Sequence, residues 1–279
     1  MDLKNVIISS NFKFNKRYGQ NFISDQNLLC AITEAAGVDK TDSILEIGVG
    51  AGTLTRALSE KAKYVYGYEI DKNLQPVLSK TLAGTDNCLV TFRDFMREDM
   101  KDVEKMIKGE YIVVANLPYY ITSPIVMKLI EDGENCKRIV IMVQKEVAAR
   151  FCAKAGTPDY GAITCAIDVI ADAREVMYVD RSNFYPVPNV DSAVVRIDID
   201  KNKYDLTSRK AFRDLVRCAF SSRRKTFSNN LMNCFKLSRE QSEDLLIAVG
   251  ADVKARGETF STADFVNLSN LMVERKILG

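Results

Sequence analysis

A chain of 279 residues that is 47% hydrophobic and carries a net charge of +2 can bury a full core, and its length suits one large domain with a smaller one. No run approaches the roughly 20 apolar residues of a membrane span, and the start lacks the apolar stretch of a signal peptide, so we expect a cytoplasmic protein with no membrane partner. Seven scattered cysteines without a CxxC pair, and no histidine, exclude His-based catalysis and predict reduced thiols and no metal site.

The chain begins with a basic and aromatic segment, and we expect residues 1–22 to form an arm that precedes the first domain. Lys16 and Arg17 in this arm are candidate RNA contacts. After the arm, Ser24 or Asp25 can cap a helix whose apolar residues repeat at helical spacing.

Short apolar runs then alternate with helix-length, charge-bearing segments, which is typical of successive βαβ units. The sequence therefore predicts a doubly wound, mostly parallel α/β sheet within a domain of residues 23–203. Later strands are expected to add antiparallel pairing at one edge of that sheet. The predicted strands are Ser43–Ile47, Tyr64–Ile70, Cys88–Phe92, Tyr111–Ala115, Arg138–Val143, Ala162–Ala171, Glu175–Val179 and Ser192–Ile199.

From Thr207 onward the pattern is helical, with capping signals at Ser238 and Ser261, so residues 204–279 are predicted to form a small all-helical domain. Its first part is strongly basic, because residues 201–239 contain eleven lysines and arginines against two acids. Such a run is more often a solvated helix face, but solvated faces usually mix both signs of charge. We therefore predict a phosphate-binding surface. Its densest point is Arg223, Arg224 and Lys225.

Candidate ligand groups follow three consecutive strands. The first strand, with Glu46, leads into the glycine loop of Gly48, Gly50 and Gly52, whose G-x-G-x-G spacing differs from the G-x-G-x-x-G of dinucleotide sites. Glu69 can accept hydrogen bonds from ribose hydroxyls at the end of the second strand, although Asp71 could do so or cap the next helix. At the end of the third strand, Asp94 can meet an adenine amine while Phe95 packs nearby, or it can simply cap a helix. Together these strand ends predict a nucleoside site.

The fourth strand runs into Asn116-Leu117-Pro118-Tyr119, which resembles the N-x-P-[YF] tetrad of adenine-N6 methyltransferases. The adenine N6 lone pair is delocalised into the ring, so it attacks well only when acceptors hold its hydrogens. The Asn116 side chain and the Leu117 or Pro118 carbonyl can supply those acceptors, and Tyr119 can stack on an extruded base. Alternatively, an Asn-x-Pro turn merely ends a strand.

Over nearly its whole length the chain resembles the small-subunit rRNA adenine dimethyltransferase family. The resembling motifs include residues 17–23 (R-Y-G-Q-N-F-I), residues 183–195 (N-F-Y-P-V-P-N-V-D-S-A-V-V), residues 220–226 (F-S-S-R-R-K-T, expected on a helix) and residues 256–261 (R-G-E-T-F-S). Two departures are Ile23 for leucine and Val49 for proline.

The resemblance implies S-adenosyl-L-methionine as cofactor and dimethylation of two adjacent adenosines in the loop of the 3′-terminal helix of small-subunit rRNA. It places Phe184 on the far side of the target base. We expect a monomer that acts on an immature ribosomal subunit, with no metal. The implied cofactor contacts are Gln20, Asn21, Ile23, Glu46, Gly48, Gly50, Gly52, Glu69, Ile70, Asp94, Phe95 and Asn116.

Three alternative functions share some of these features. The large-subunit rRNA methyltransferases of the macrolide-resistance type have the same glycine loop and tetrad, but tend to differ after the Pro-x-Pro. A non-catalytic rRNA-binding assembly factor would keep the fold without turnover, although Glu69, Asp94 and Asn116 are all present. A nicotinamide oxidoreductase is disfavoured by the threonine in place of the third fingerprint glycine.

Overall fold

The computed structural model describes residues 3–15 and 18–279, so the predicted RNA contacts Lys16 and Arg17 lie outside the described residues. The chain divides into two compact units. The first runs to Ala148 and resumes at Ala173–Ile199, and the second comprises Ala149–Asp172 and Asp200–Gly279.

The described strands alternate with helices along the first two-thirds of the chain, and the remainder is helical. The strands are β1 (Phe22–Ile23), β2 (Ser43–Ile47), β3 (Tyr64–Glu69), β4 (Cys88–Phe92), β5 (Tyr111–Asn116), β6 (Cys136–Gln144), β7 (Ala171–Val179), β8 (Phe184–Tyr185) and β9 (Ser192–Ile199). The helices are α1 (Leu3–Ser9), α2 (Gln26–Ala36), α3 (Thr53–Lys61), α4 (Gln75–Thr81), α5 (Met100–Ile107), α6 (Thr122–Asp132), α7 (Lys145–Phe151), α8 (Ala162–Asp168), α9 (Arg209–Ala219), α10 (Phe227–Phe235), α11 (Arg239–Ala248) and α12 (Thr262–Glu274).

Seven strands form the main sheet in the order β4-β3-β2-β5-β6-β9-β7, while β1 and β8 form a small antiparallel pair. Strands β2 to β6 pair in parallel, and β9 pairs antiparallel with β6. This confirms the predicted doubly wound, mostly parallel sheet, and the antiparallel pairing lies toward one edge as expected. The strand order reverses between β2 and β5, and ligands of open α/β sheets bind in the crevice at that point.

Helices α2 and α3 cover one face of this sheet, and local signals define where α2 begins and ends. The Asp25 carboxylate caps α2 by accepting the N–H groups of Asn27 and Leu28, and Gly37 ends the helix in the left-handed conformation. Apolar residues of both helices pack against the strands, among them Leu29, Ile32, Leu58, Ile44, Val65, Ile112 and Val140. The packed face positions the loops at the carboxyl edge of the sheet.

The N-terminal arm is part of the first unit. Leu3 and Ile7 on α1 are buried in a cluster with Leu74, Val77 and Leu78. The Lys80 ammonium also donates a hydrogen bond to the Ser9 carbonyl oxygen, at 2.8 Å.

The prediction of a strand over Ala162–Ala171 was wrong, because most of this run is helix α8 and only its last residue begins β7. Ten mostly apolar residues fit a buried strand and a buried helix equally well, so periodicity could not distinguish them. The local signal is at Gly161, whose N–H donates to the Thr164 hydroxyl at 3.2 Å and starts the helix.

The second unit is organised around an aromatic core of Phe220, Phe227, Phe260 and Phe265. It differs in extent from the predicted helical domain because Ala149–Asp172 belongs to it. The Lys203 ammonium, for example, contacts the Asp168 carboxylate at 2.6 Å and the Asp172 carboxylate at 2.8 Å.

Candidate active site

A cleft of about 1010 Å³, including the open space at its mouth, lies at the carboxyl edge of the sheet in the first unit. Its walls include the ends of β2 and β5, so it occupies the crevice where the strand order reverses. Its volume suits a nucleoside-sized ligand. Of the predicted site residues, the structure brings together Gln20, Asn21, Ile23, Glu46, Gly48, Gly50, Glu69, Ile70, Asp94, Phe95, Asn116, Leu117, Pro118 and Tyr119.

Two residues that were predicted to contact the cofactor or the target base do not line this cleft. Gly52 has a φ of +80°, and a Cβ there would lie 2.7 Å from Leu78 Cδ2, so this glycine permits close packing of the loop against α4. Phe184 is only 3% exposed and packs in the core with Ile23, its partner in the β1–β8 pair. Its predicted place on the far side of a target base stays a prediction.

The glycine loop and β3 are joined through the carboxylate of Glu69. Its Oε2 accepts the Gly50 N–H at 2.7 Å and its Oε1 accepts the Asp71 N–H at 2.8 Å. Burial raises the pKa of Glu69, although these two N–H groups oppose the shift. Each carboxylate oxygen still has a lone pair for a ligand hydroxyl.

Asp71 and Asp94 both act as caps, as the alternative interpretation of each predicted. Asp71 accepts the N–H of Asn73. Asp94 accepts the N–H of Met96 at 3.0 Å, while its other oxygen lies 3.4 Å from the Arg97 guanidinium. Asp94 nevertheless lines the cleft, so capping and ligand binding are compatible there.

Glu46 is the most deeply buried acid of the cleft, with 1% of its surface exposed. Its Oε2 makes no hydrogen bond of normal geometry among the described residues, although the hydroxyl of Thr55 on α3 lies close enough to oppose the rise in the pKa of Glu46. Burial raises the pKa of Glu46 to about 8, and the negative charge of Glu69 adds to the shift. An orphaned buried carboxyl of this kind fits a cationic ligand group.

The Asn116 side chain is oriented by the N-terminal segment. Its amide nitrogen donates to the Asn21 carbonyl oxygen at 2.9 Å, which leaves Oδ1 as the acceptor for a ligand. The Pro118 carbonyl already accepts the Ile121 N–H at 3.1 Å and the Thr122 hydroxyl at 3.3 Å. Of the two carbonyls considered from the sequence, the Leu117 carbonyl is therefore the better candidate acceptor for a ligand N–H group.

Tyr119 lines the cleft, and its hydroxyl lies 3.0 Å from the Ser192 hydroxyl on β9. Burial raises the pKa of Tyr119, so the phenol is neutral near pH 7. Ser192 was not assigned a role from the sequence, although it lies within the V-D-S-A-V-V motif. Tyr18 and Tyr120 also line the cleft without having been predicted to do so. The adjacent pair of tyrosines was the available signal for Tyr120.

Gln20 lines the cleft, but both ends of its amide are used within the protein. Its Nε2 donates to Asp71 Oδ2 at 2.8 Å, and its Oε1 accepts the Asn15 N–H at 2.9 Å. The side chain therefore ties the arm to the end of β3.

The departure at Val49 is accommodated by a glycine on the neighbouring strand. Val49 is buried, and a Cβ on Gly67 would lie 2.5 Å from its Cγ2. Any residue larger than glycine at position 67 would therefore place its Cβ in the space that the Val49 side chain occupies.

The predicted basic helix is a turn between α9 and α10. The Arg223 guanidinium donates to the carbonyl oxygens of Pro158, at 3.1 Å, and Tyr160, so this side chain holds together parts of the second unit. Arg223 is nevertheless exposed, as are Arg224 and Lys225. Across residues 3–15 and 18–279, no helix is long and apolar enough to cross a membrane, and no group of three or more candidate side chains is placed to hold a metal ion.

Comparison with known proteins relates this geometry to characterised families. The profile of the ribosomal RNA adenine dimethylase family matches residues 11–273. The ribosomal RNA small subunit methyltransferase A of Geobacillus thermodenitrificans is 42% identical over 277 residues, which cover 97% of this chain and 94% of the relative. The protein of the same name from Clostridioides difficile is 42% identical over 272 residues, covering 96% and 94%.

Two solved structures are similar over most of the chain. The crystal structure of a dimethyladenosine transferase from Plasmodium falciparum has a TM-score of 0.80 at 26% identity, and the match covers 92% of this chain and 99% of that one. The crystal structure of the 23S rRNA methyltransferase ErmE has a TM-score of 0.69 at 27% identity, covering 90% and 98%.

Proposed function

The chain belongs to the ribosomal RNA adenine dimethylase family, and from that premise we propose that it transfers methyl groups from S-adenosyl-L-methionine to N6 of adenosines in small-subunit rRNA. We further propose that its targets are two adjacent adenosines in the loop of the 3′-terminal helix, within an immature ribosomal subunit. The product is dimethyladenosine at each position.

The observation that carries the proposal is the arrangement at the end of β5. Asn116 Oδ1 is left as an acceptor because the amide nitrogen is bonded to Asn21, and the Leu117 carbonyl follows directly. Two acceptors match the two hydrogens of an adenine amine. Tyr119, held through its hydroxyl at Ser192, offers an aromatic surface in the same cleft for an extruded base.

The same cleft has groups suited to the methyl donor. The orphaned Glu46 carboxyl fits a cationic group, the Glu69 carboxylate fits ribose hydroxyls, and Asp94 fits an adenine amine. When bound, the donor supplies a methyl group activated by a sulfonium. The protein residues orient the nucleophile. Asn116 and the Leu117 carbonyl accept hydrogen bonds from the amine hydrogens, which raises the lone-pair density on N6. Tyr119 holds the base in place for in-line attack.

The proton balance needs no histidine. On accepting the methyl group that a bound donor would supply, the amine nitrogen would become strongly acidic and would release a proton to water. The monomethyl product keeps one N–H, so the same acceptors serve the second transfer. Base extrusion costs a few kcal/mol, least in a loop where adenosines are poorly paired.

RNA affinity is proposed to come mainly from cations outside the cleft. The cleft holds one base, whereas the exposed Arg224 and Lys225, with Lys16 and Arg17 of the arm, can contact several phosphates and release counterions. We also propose that the protein acts as a monomer.

The test is methylation of purified particles with a tritiated methyl donor. Small and large ribosomal subunits lacking the modification are incubated separately with the protein, and the RNA is digested to nucleosides. We expect label in dimethyladenosine from small subunits. Label from large subunits alone would instead support a function like that named for ErmE, and labelling of neither would favour a non-catalytic assembly factor.

A further inference from the structure

Tyr120 is a cleft residue to which the proposed reaction gives no role. It follows Tyr119 directly and lines the same cleft, but 63% of its surface is exposed, whereas Tyr119 is half-buried. A side chain that lines a cleft and stays mostly exposed lies at the mouth of that cleft. Single exposed aromatic residues are common on protein surfaces, so it is the position at this mouth that distinguishes Tyr120.

One tight turn directs the two tyrosine side chains to different neighbours. The Ile121 N–H donates to the Pro118 carbonyl oxygen at 3.1 Å, so Tyr119 and Tyr120 are the two central residues of the turn. The Tyr119 hydroxyl lies 3.0 Å from the Ser192 hydroxyl on β9, which holds that ring within the cleft. The Tyr120 ring lies instead beside the N-terminal arm.

The arm supports the Tyr120 ring at one edge. A Cβ on Gly19 would lie 3.8 Å from Cε1 and 3.9 Å from Cδ1 of this ring, which is van der Waals distance. The Gly19 backbone therefore lies next to the ring edge and leaves most of the side chain exposed. A ring that is already supported loses less conformational freedom when a ligand stacks on it, so less of the binding free energy is lost.

Extrusion of a base from an RNA loop leaves the neighbouring base without its stacking partner. This loss is part of the cost of extrusion. An aromatic side chain at the mouth of the pocket can replace the lost partner, because every base has a π-face that stacks on an aromatic ring. Since Tyr119 is held inside the cleft, Tyr120 is the ring placed to do this for a base that stays outside.

We propose that Tyr120 is a positioning residue, whose ring stacks on the nucleotide next to the extruded adenosine and holds the RNA strand at the mouth of the cleft. With two adjacent adenosines as targets, the base that stays outside is a purine with a large π-face. The contact involves the base that does not react, so it strengthens RNA binding without touching the reacting amine. This inference rests on the proposed function.

Binding of RNA hairpins to the full chain tests this inference. The loop of the reference hairpin contains two adjacent adenosines, and in two further hairpins one or the other is replaced by an abasic nucleotide. Each Kd is measured in the presence of S-adenosylhomocysteine, which cannot donate a methyl group. For the wild type we expect one of the two abasic replacements to weaken binding by about tenfold, the scale of one stacked base.

Three variants assign this abasic penalty to the ring. Tyr120→Ala should weaken binding of the reference hairpin by a similar factor, and the abasic replacement should then cost little more, because the same contact is already lost. Tyr120→Phe keeps the ring and should keep the penalty. Tyr178→Ala removes another exposed tyrosine, outside the cleft, and should show the wild-type penalty. The penalty compares two affinities of one variant, so a general loss of folded protein cancels.

The outcomes separate this inference from the proposed function. Penalties that are equal in the wild type and Tyr120→Ala at both positions would overturn the inference, and so would a reference hairpin that the wild type does not bind. A penalty that is lost in Tyr120→Phe as well would assign the contact to the hydroxyl and overturn stacking. Methylation of small subunits tests the proposed function separately: methylated subunits with equal penalties would overturn this inference alone, whereas unmethylated subunits with no hairpin binding would overturn both.

Discussion

The backbone of the N-terminal arm orients the Asn116 side chain, because the Asn21 carbonyl oxygen accepts a hydrogen bond from the Asn116 amide nitrogen. This bond determines which end of the amide faces a substrate. Pro118 lies two residues further along in the turn, and its carbonyl oxygen accepts the Ile121 N–H within that turn. The reactive geometry therefore depends on contacts 95 positions apart in sequence.

Asn116→Ala should reduce the methylation rate by roughly 10²-fold or more, because it removes a hydrogen-bond acceptor from the reacting amine. Cofactor affinity should change little if the amide acts mainly on the substrate. Single-turnover rates and calorimetry on the same preparation measure both quantities. A variant that methylates at near wild-type rate would remove Asn116 from the mechanism.

Glu69→Ala should weaken S-adenosylmethionine binding by about 1–3 kcal/mol, the range expected for lost hydrogen bonds to a charged group. Gly50 and Asp71 would also lose their acceptor, so thermal stability should fall. Glu69→Gln keeps one oxygen acceptor and separates these effects. Unchanged cofactor affinity in Glu69→Ala would show that this carboxylate does not contact the donor.

Glu46 should also make stability depend on pH. Its pKa is raised from 4.5 unfolded to about 8 folded, so its contribution is fully present below pH 4.5 and is lost as pH rises through about 8. Glu46→Gln removes this dependence. The melting temperature of the variant relative to wild type should rise between pH 5 and pH 9, and a constant difference would contradict a neutral Glu46.

The turn between α9 and α10 combines two kinds of basic residue that look alike in sequence. The side chains of Arg223, Arg224 and Lys225 are all exposed. Of these, only Arg223 donates to the backbone carbonyl oxygens of Pro158 and Tyr160. Asn230 further fixes this turn by donating to the carbonyls of Ala219 and Ser222. Among the described residues, the side chains of Arg224 and Lys225 make no such bond, so these two cations of the turn are available to a ligand.

Replacing both Arg224 and Lys225 with glutamine should lower the slope of log RNA affinity against log salt by about 1 to 2, with no loss of thermal stability. Arg223→Gln is the matched variant. It should lower the melting temperature and leave the salt slope nearly unchanged, because its guanidinium serves the fold. Salt-series binding and thermal melts test both, and the reverse pattern would contradict this division.

The division of the whole chain has a consequence for truncation. Ala149–Asp172 precedes the last strands of the sheet in sequence, yet it belongs to the unit that contains Asp200–Gly279. Lys203 and Arg223 both contact this segment. The chain therefore cannot be cut at residue 203 without removing contacts of an internal segment.

A fragment of residues 1–203 should thus be less soluble and melt at a lower temperature than the full chain. The lost contacts include those of α9 with α8, and α8 has Cys165 and Ile167 buried. Sedimentation and thermal melting of the fragment, with the full chain as control, test this. A fragment as stable and as monodisperse as the full chain would instead support the predicted boundary.

The sequence by itself was sufficient for features that depend on neighbouring residues. The strands Ser43–Ile47 and Ser192–Ile199 were predicted at their observed limits, and Asp25 is one of the two caps predicted for the first long helix, because apolar periodicity and capping are local. The cleft followed from the rule that parallel strands end at one edge, so that Glu46, Glu69, Asp94 and Asn116 converge there.

Only the tertiary structure could decide features that depend on distant partners. Ala162–Asp168 forms a helix in a run that the local pattern could not assign to helix or strand. Phe184 is buried in the core. The Arg223 guanidinium donates hydrogen bonds to carbonyl oxygens 65 and 63 positions away in the sequence. Burial and hydrogen-bond partners are set by which segments meet. A residue type at a given spacing specifies what a side chain can do, but its surroundings decide which of those roles it performs.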